Sequence, residues 1–181
     1  VEMKSGIQFF DGISTAEIQE ILIRSASDLI DLDHPNYQFV AARLLLFALR
    51  KQLYGRMHEI PTLKEQVLNC VNRGVYDPEI LDLYTDEEFD KLEGFIDHSR
   101  DYLFTYAGLR QVVDKYLVQD RSSNVVYETP QFMYMLIAAT IFSKYPKATR
   151  LDYVKKYYDA ISRHKINIPT PIMAGVRTPL R

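Results

Sequence analysis

The sequence is poor in the residues that would place it in several common protein classes. It has one cysteine, no tryptophan, seven glycines and eight prolines in 181 residues. A single thiol, that of Cys70, can form neither an internal disulfide nor a cysteine-based metal cluster, so the sequence predicts a reducing, cytoplasmic setting. The scarcity of glycine and proline excludes collagen-like and low-complexity chains.

An excess of charge of one sign is also lacking, as are long apolar runs. A net charge of −2 at pH 7 gives no reason to expect a nucleic-acid partner. The longest apolar run, Met133–Phe142, is too short to span a bilayer, so no membrane partner is predicted. Hydrophobic residues nevertheless make up 47% of the chain, which predicts a folded protein with a substantial core.

Helix-start signals dominate what is present. Three capping boxes place a serine or threonine three residues before a glutamate, at Ser14 and Glu17, Thr62 and Glu65, and Thr85 and Glu88. Gly55 and Gly74 are typical of residues that end helices. The predicted helices run from Ser14 to about Leu32, Pro35 to Gly55, Thr62 to Gly74, a short one from Asp77, Thr85 to about Ile96, about Arg100 to Lys115, Thr129 to about Ser143, and about Ala148 to Arg163.

One stretch predicts strands. Residues 116–118 and 125–127 are β-prone triplets on either side of a polar turn at 120–124, and we interpret them as a small β-hairpin. The predicted fold class is therefore mainly α, a helical domain of about seven helices with one small β-hairpin.

Motifs of known catalytic or metal sites are missing from the sequence. It contains no glycine-rich phosphate loop, no HExxH and no GxSxG, so no catalytic residue and no metal site is predicted. The four histidines are scattered and are predicted to be surface or helix-cap residues: His34, His58, His98 and His164.

Residues 167–181, NIPTPIMAGVRTPLR, form what we call the C-terminal segment. A proline on each side of Thr170 fixes the backbone there, and Gly175 allows close backbone approach just before Arg177 and Thr178. Hydroxyls and an arginine on a stiff backbone, with no acid in the segment, suit an oxyanion such as a phosphate. The alternative is a proline-rich exit linker.

The same segment carries a family resemblance. IPTPIMAGVRTPLR resembles LPTPIM-GVRTP-RQFSSC, a signature of the large subunit of class I ribonucleotide reductase. Further segments resemble that family in the same order, and together they cover essentially the whole chain: FFDGISTAEIQEILIRSASDLI, DHPNYQFVAARLLLFALRKQLYG, YLVQDRSSNVVYETPQF and FSKYPKATRLDYVKKYYDAIS. The similarity is to the class Ia enzymes of bacteria and phages.

The resemblance implies a domain organisation. Residues 1–55 would be the C-terminal part of an ATP-cone, residues 56–166 the N-terminal helical domain of the large subunit, and residues 167–181 the start of the α/β barrel catalytic domain, entering its first strand. Thr170 matches the family threonine that contacts the diphosphate of the substrate.

The resemblance also implies an activity and partners. The family reduces ribonucleoside diphosphates to deoxyribonucleoside diphosphates by cysteine thiyl-radical chemistry, with ATP and dNTP effectors. The implied partners are the substrate, the remainder of the large subunit, a small subunit with a diiron-tyrosyl radical, and a second large subunit in a homodimer. No cofactor is expected in this chain itself.

The family's redox cysteines lie beyond this chain, and Cys70 matches no family active-site position. The resemblance therefore implies an N-terminal fragment that is inactive alone; the alternative is a stand-alone helical regulatory or protein-interaction module. Because the surface that faces the barrel would be uncovered, the C-terminal segment is expected to be poorly ordered or docked on a neighbouring copy.

Two positions match allosteric nucleotide contacts of the family, the hydroxyl of Thr15 and the ammonium of Lys51. Two others depart from it, because many relatives have histidine where this chain has Gln19 and Ala48. The departures lead to the hypothesis that the parent enzyme is not inhibited by dATP. Ordinary variation on a helix surface is the alternative.

Overall fold

The computed structural model describes residues 1–6, 8–55 and 59–180. The helices are α1 (Glu2–Gly6), α2 (Thr15–Ser27), α3 (Tyr37–Tyr54), α4 (Leu63–Asn72), α5 (Glu79–Leu83), α6 (Asp86–Glu93), a 3₁₀ helix (His98–Leu103), α7 (Tyr106–Lys115), α8 (Pro130–Phe142), α9 (Arg150–Ser162) and α10 (Thr170–Gly175). Strands β1 (Gln119–Asp120) and β2 (Val125–Val126) complete the fold. The predicted mainly α class with one hairpin is confirmed.

The three predicted capping boxes are confirmed. In the first, the backbone N–H of Glu17 donates to Ser14 Oγ at 3.2 Å, and the Glu17 carboxylate accepts from the backbone N–H of Ser14 at 2.9 Å. The boxes at the starts of α4 and α6 have the same reciprocal bonds. Gly55 ends α3 with a φ of 77°, a left-handed conformation that costs glycine little.

The core is built around α8, whose residues from Pro130 to Ala139 are all buried. A helix that is apolar on every face must be surrounded by other elements. Helix α9 packs along α8 and the 3₁₀ helix packs on it as well, while α3 packs against α2 and α7.

A buried polar chain ties α3 to this core. Arg50 Nη2 lies 2.9 Å from Asp101 Oδ2, and Gln131 donates to the other carboxylate oxygen of Asp101 at 2.9 Å. The hydroxyl of Tyr158 in turn donates to Gln131 at 2.7 Å. Helices α3, α8, α9 and the 3₁₀ helix are therefore held in register by hydrogen bonds as well as by apolar contacts.

The single helix predicted from about Arg100 to Lys115 is wrong. The chain forms a 3₁₀ helix, then two extended residues, and then α7. Thr105 caps α7, with its hydroxyl accepting from the backbone N–H of Gly108 at 3.2 Å. A threonine followed three residues later by glycine rather than glutamate lacks half of the capping-box signal, so the break was not visible in the pattern.

The hairpin prediction is confirmed, with the first strand shifted along the chain. Gln119 pairs with Val126 and Asp120 with Val125 in an antiparallel ladder. The carboxylate of Asp120 accepts hydrogen bonds from the side chain of Ser122 at 2.7 Å and from that of Ser123 at 2.7 Å, and these bonds lower the pKa of Asp120 to about 2.

The expectation that the C-terminal segment is poorly ordered or enters a strand is wrong. Residues 170–175 form helix α10, and the segment folds back on its own chain. The backbone carbonyl of Arg177 accepts from the N–H of Asp77 at 3.0 Å. The reason is a charge pair with a distant acid, described below. Docking of the segment on a neighbouring copy stays a prediction. Assignment of the segment to the start of a barrel domain stays a prediction, as do the other domain boundaries.

Candidate functional site

Thr170 lies at the surface, where it begins α10. Its Oγ1 is 3.4 Å from the phenol oxygen of Tyr116, the residue that directly follows α7. The hydrogen bond that the Tyr116 hydroxyl shares with Thr170, and the one that it accepts from Gln111, lower the pKa of Tyr116 from its usual value. The fold thus brings together two hydroxyls from distant parts of the chain, and each can donate to an oxyanion.

A cavity of about 540 Å³ is lined by Tyr116, one member of this pair. Its wall includes Tyr116, Met173, Gly108 and Gln111, with His164 and Asn167 contributing polar atoms. Burial lowers the pKa of His164. Such a volume and mixed lining are in the range found for small-ligand sites.

Arg177 does not lie free to hold a phosphate, so that part of the oxyanion prediction is wrong. Its guanidinium forms a two-pronged ion pair with Glu128, with Nε 2.9 Å from Oε2 and Nη2 against Oε1. The side chains are 2% and 0% exposed. Burial opposes the charge, but the adjacent Glu128 carboxylate outweighs it and the pKa of Arg177 is raised. The segment itself contains no acid, but the fold supplies one.

The rest of the Arg177 guanidinium is also occupied. Nη1 donates to the carbonyl of Met173 at 2.6 Å and Nη2 to the carbonyl of Tyr116 at 2.9 Å. On the other side of the pair, Glu128 accepts from the hydroxyl of Tyr76 at 2.5 Å and from the backbone N–H of Val118 at 2.7 Å. The pair is therefore a junction of four chain segments.

Thr178 is used internally as well. Its hydroxyl donates to the carbonyl of Gly175 at 2.9 Å and accepts from the backbone N–H of Leu180 at 3.3 Å. Of the three side chains to which the sequence assigned a phosphate role, Thr170 alone is exposed.

The predicted allosteric contacts lie at the other end of the chain. Thr15 is the first residue of α2 and Lys51 lies in the last turn of α3, and both are exposed. Gln19 is partly buried, and Ala48 packs against the core. A cavity of about 370 Å³ beside α2 is lined by apolar and charged side chains that include neither Thr15 nor Lys51. The nucleotide role of these residues stays a prediction.

Sequence reasoning missed Tyr116 and Glu128. Tyr116 was placed in a β-prone triplet, and its position directly after the lysine that ends α7 was the available signal. Glu128 is an acid between an apolar strand and the apolar helix α8, and that isolation was a sign of a buried partner. Its partner lies 49 positions away in the sequence, too far for any local pattern.

Within residues 1–6, 8–55 and 59–180, no group of three or more histidine, cysteine or acidic side chains is arranged to hold a metal ion. Over the same described part of the chain, none of the helices combines the length and the apolar character needed to cross a membrane. His58 lies outside these residues.

Comparison with known proteins places these features in context. Residues 102–181 match a family described as the ribonucleotide reductase all-alpha domain. All 181 residues align with the ribonucleoside-diphosphate reductase 1 subunit alpha of Escherichia coli K12, at 53% identity, and with the corresponding alpha subunit of Haemophilus influenzae, at 54%. The alpha subunit of Enterobacteria phage T4 is 47% identical over 94% of the chain. The chain spans 24% of the length of the first two relatives and 22% of the third.

Proposed function

The chain belongs to the ribonucleotide reductase large-subunit family, and from this premise we propose that it works as the N-terminal part of an alpha subunit that reduces ribonucleoside diphosphates to deoxyribonucleoside diphosphates. The observation that carries the proposal is the 53% identity over every residue of the chain to the N-terminal part of such a subunit. The stand-alone helical module is not favoured, because the relatives have this sequence as part of a longer chain.

We further propose that this chain does not perform the radical chemistry by itself. The thiyl radical of the family needs a cysteine, and Cys70 in α4 is only 2% exposed. Burial, together with the nearby charge of Glu128, raises the pKa of Cys70 to about 12. A thiol of that kind is inert at neutral pH. The reacting cysteines, a small subunit with a diiron-tyrosyl radical and a second large subunit would be supplied from outside this chain.

In this proposal Thr170 contacts the diphosphate of the substrate. Thr170 is exposed, and its hydroxyl lies beside the phenol of Tyr116, which lines a cavity of ligand size. The chain's own contribution is to bind and orient: the Thr170 hydroxyl donates to a phosphate oxygen, and the backbone on either side is stiffened by proline.

The regulatory part of the proposal concerns α2 and α3. As the remaining part of an ATP-cone, they would present Thr15 and Lys51 to an ATP or dNTP effector in a cytoplasmic enzyme of deoxyribonucleotide synthesis for DNA replication. Alanine at position 48 offers no side-chain hydrogen bond, whereas the family resemblance implies histidine there in many relatives, so dATP inhibition is expected to be lost. Isothermal calorimetry of the complete subunit that shows tight dATP binding at these residues would contradict this.

A chimera tests the substrate role of Thr170. This chain replaces the matching residues of the Escherichia coli alpha subunit, and reduction of cytidine diphosphate is measured with the small subunit. We expect turnover by the chimera, and Thr170→Ala should raise KM about tenfold because one hydrogen bond to a charged phosphate is lost. Thr170→Ser should restore KM.

The matched control is Thr149→Ala, which removes an exposed threonine hydroxyl at the start of α9. It should leave KM unchanged. Equal KM values for the Thr170→Ala and Thr149→Ala chimeras would refute the diphosphate contact, and a chimera without turnover would count against the proposed family role of the chain.

A further inference from the structure

We propose that Arg177, paired with Glu128, is a positioning residue that sets the Thr170 and Tyr116 hydroxyls at their separation. The inference rests on the proposed function of Thr170 for its catalytic meaning, but its structural part stands by itself.

The two backbone carbonyls bound by Arg177 belong to the two segments whose side chains meet at the site. Nη1 binds the carbonyl of Met173, within α10, the helix that begins with Thr170. Nη2 binds the carbonyl of Tyr116 itself. One planar, rigid group therefore fixes the distance between the backbone of α10 and the backbone of Tyr116. The side chains of Thr170 and Tyr116 belong to the two segments that this guanidinium joins, and their hydroxyl oxygens are 3.4 Å apart.

Glu128 holds the guanidinium in place. It lies two residues before the start of α8, the most buried of the described helices, and its side chain is completely buried. Tyr76 and the backbone N–H of Val118 occupy its remaining acceptor sites, so the carboxylate has little freedom to rotate. Glu128 and Arg177 therefore connect the buried helix α8 to α10, a helix of six residues at the surface.

A short helix needs such a support. Inside α10 the backbone hydrogen bonds are few, and isolated helices of this length are unstable in water. None of its residues is fully buried. Ile172 and Met173 of α10 pack against the core but stay partly exposed, and the fully buried charge pair provides a further attachment of the segment.

The chain offers a control in a second arginine–carboxylate pair, in which the arginine is buried and the glutamate, Glu88, is 13% exposed. Arg150 binds Glu88 with Nε 2.9 Å from Oε1, and it also donates to two backbone carbonyls, those of Ser143 at 3.2 Å and Leu83 at 2.7 Å. Its side chain is 3% exposed. The chemistry is the same as at Arg177, but none of these partners belongs to the C-terminal segment or to Tyr116.

The first measurement is amide hydrogen exchange of the 181-residue chain. Arg177→Lys keeps the charge but cannot bridge both carbonyls. We expect the amides of Met173, Val176 and Thr178 to exchange at least about tenfold faster, while those of α8 stay within about twofold. Arg150→Lys should leave the three amides unchanged. Rapid exchange of these amides in the wild-type chain, or equal effects of the two variants on them, would overturn the proposal.

The second measurement uses the chimera and separates positioning from stability. Arg177→Lys should raise KM for cytidine diphosphate about as much as Thr170→Ala, because a small displacement of an orienting group is costly. The double variant should be no worse than Thr170→Ala alone, since Arg177 acts through Thr170. Additive effects on KM would overturn the proposal, and Arg150→Lys should leave KM unaltered.

Two further arms keep the outcomes distinct. If Arg177→Lys does not fold, Glu128→Gln replaces it, because it keeps the shape of the side chain while it removes the charge and one of the two accepting oxygens. If Thr170→Ala leaves KM unchanged, the substrate role of Thr170 fails, and hydrogen exchange alone then decides whether Arg177 fixes α10.

Discussion

The C-terminal segment and the α2–α3 pair both carry predicted ligand contacts, yet they hold them in different ways. Thr170 stands on a six-residue helix that is anchored by a fully buried ion pair. Thr15 and Lys51 stand on helices of 13 and 18 residues and are themselves exposed. The long helices need no special anchor for an exposed side chain, whereas the short helix does.

The difference shows how a small rigid site can be built at the surface. A residue on a long helix inherits its position from many backbone hydrogen bonds and from the apolar face beneath it. The position of a residue on a short segment depends on a few strong contacts and therefore on a few side chains. A single substitution should therefore lower the free energy of unfolding strongly when it removes one of the few contacts of the C-terminal segment. A single substitution at an exposed position in α2 or α3 should change it little.

The largest expected effect comes from breaking the anchor. Arg177→Met should lower the free energy of unfolding by about 3–5 kcal/mol, because it leaves Glu128 buried without its countercharge. Lys51→Met, at an exposed position in α3, should change it by less than about 0.5 kcal/mol. Urea denaturation followed by circular dichroism measures both. A loss below 1 kcal/mol for Arg177→Met would mean that the segment is not anchored by charge.

A smaller loss of stability is expected when the pH is lowered, and it should come from His98, the first residue of the 3₁₀ helix that packs against α3. Burial, with a contribution from the nearby charge of Arg50, lowers the pKa of His98 to about 4. The unfolded chain binds this proton at about pH 6.5, so the stabilising contribution is complete above that pH and is lost as the pH falls towards 4. The free energy of unfolding should be about 2 kcal/mol lower at pH 5 than at pH 7.

His98→Gln should remove most of this pH dependence, and His34→Gln, at an exposed position, should not. Urea denaturation at the two pH values provides the comparison. An unchanged slope in the His98 variant would show that its imidazole is not the group that titrates.

The smallest effect concerns the start of α2, next to Thr15. Ser14→Ala should lower the free energy of unfolding by about 1 kcal/mol, because the hydroxyl that accepts from the backbone of Glu17 is lost. Ser14→Asp keeps an acceptor and should remain within a few tenths of a kcal/mol of the wild type. Thermal unfolding of the three proteins is sufficient, and equal midpoints for the alanine variant and the wild type would contradict the role of the cap.

Local signals in the sequence were enough for most of the helices. The three capping boxes and Gly55 act through neighbours within four residues, so the pattern contains all that the structure needs there. The start of α7 was not predicted, because Thr105 caps the helix by accepting from the backbone N–H of Gly108, and no glutamate at that position completes a capping box. Helix existence was predicted more reliably than helix ends, since ends depend on single side chains.

The candidate site was predictable only in part. Thr170 was singled out from the stiffness of its own segment together with the family resemblance, and the structure leaves it exposed. The role assigned to Arg177 was wrong because its partner is far away in the sequence. The pairing of Arg50 with Asp101, which lie 51 positions apart, could not be predicted for the same reason. Contacts of this kind exist only once the helices have packed.

The complete burial of α8 has a consequence for the synthesis of the protein. Its main cover, α9, follows it in the chain, so α8 emerges from the ribosome before the surface that encloses it exists. With no face suited to water, the nascent segment is a natural client for a chaperone. A stalled nascent chain that exposes α8 but still retains α9 in the exit tunnel should bind a chaperone strongly, and release of α9 should abolish that binding.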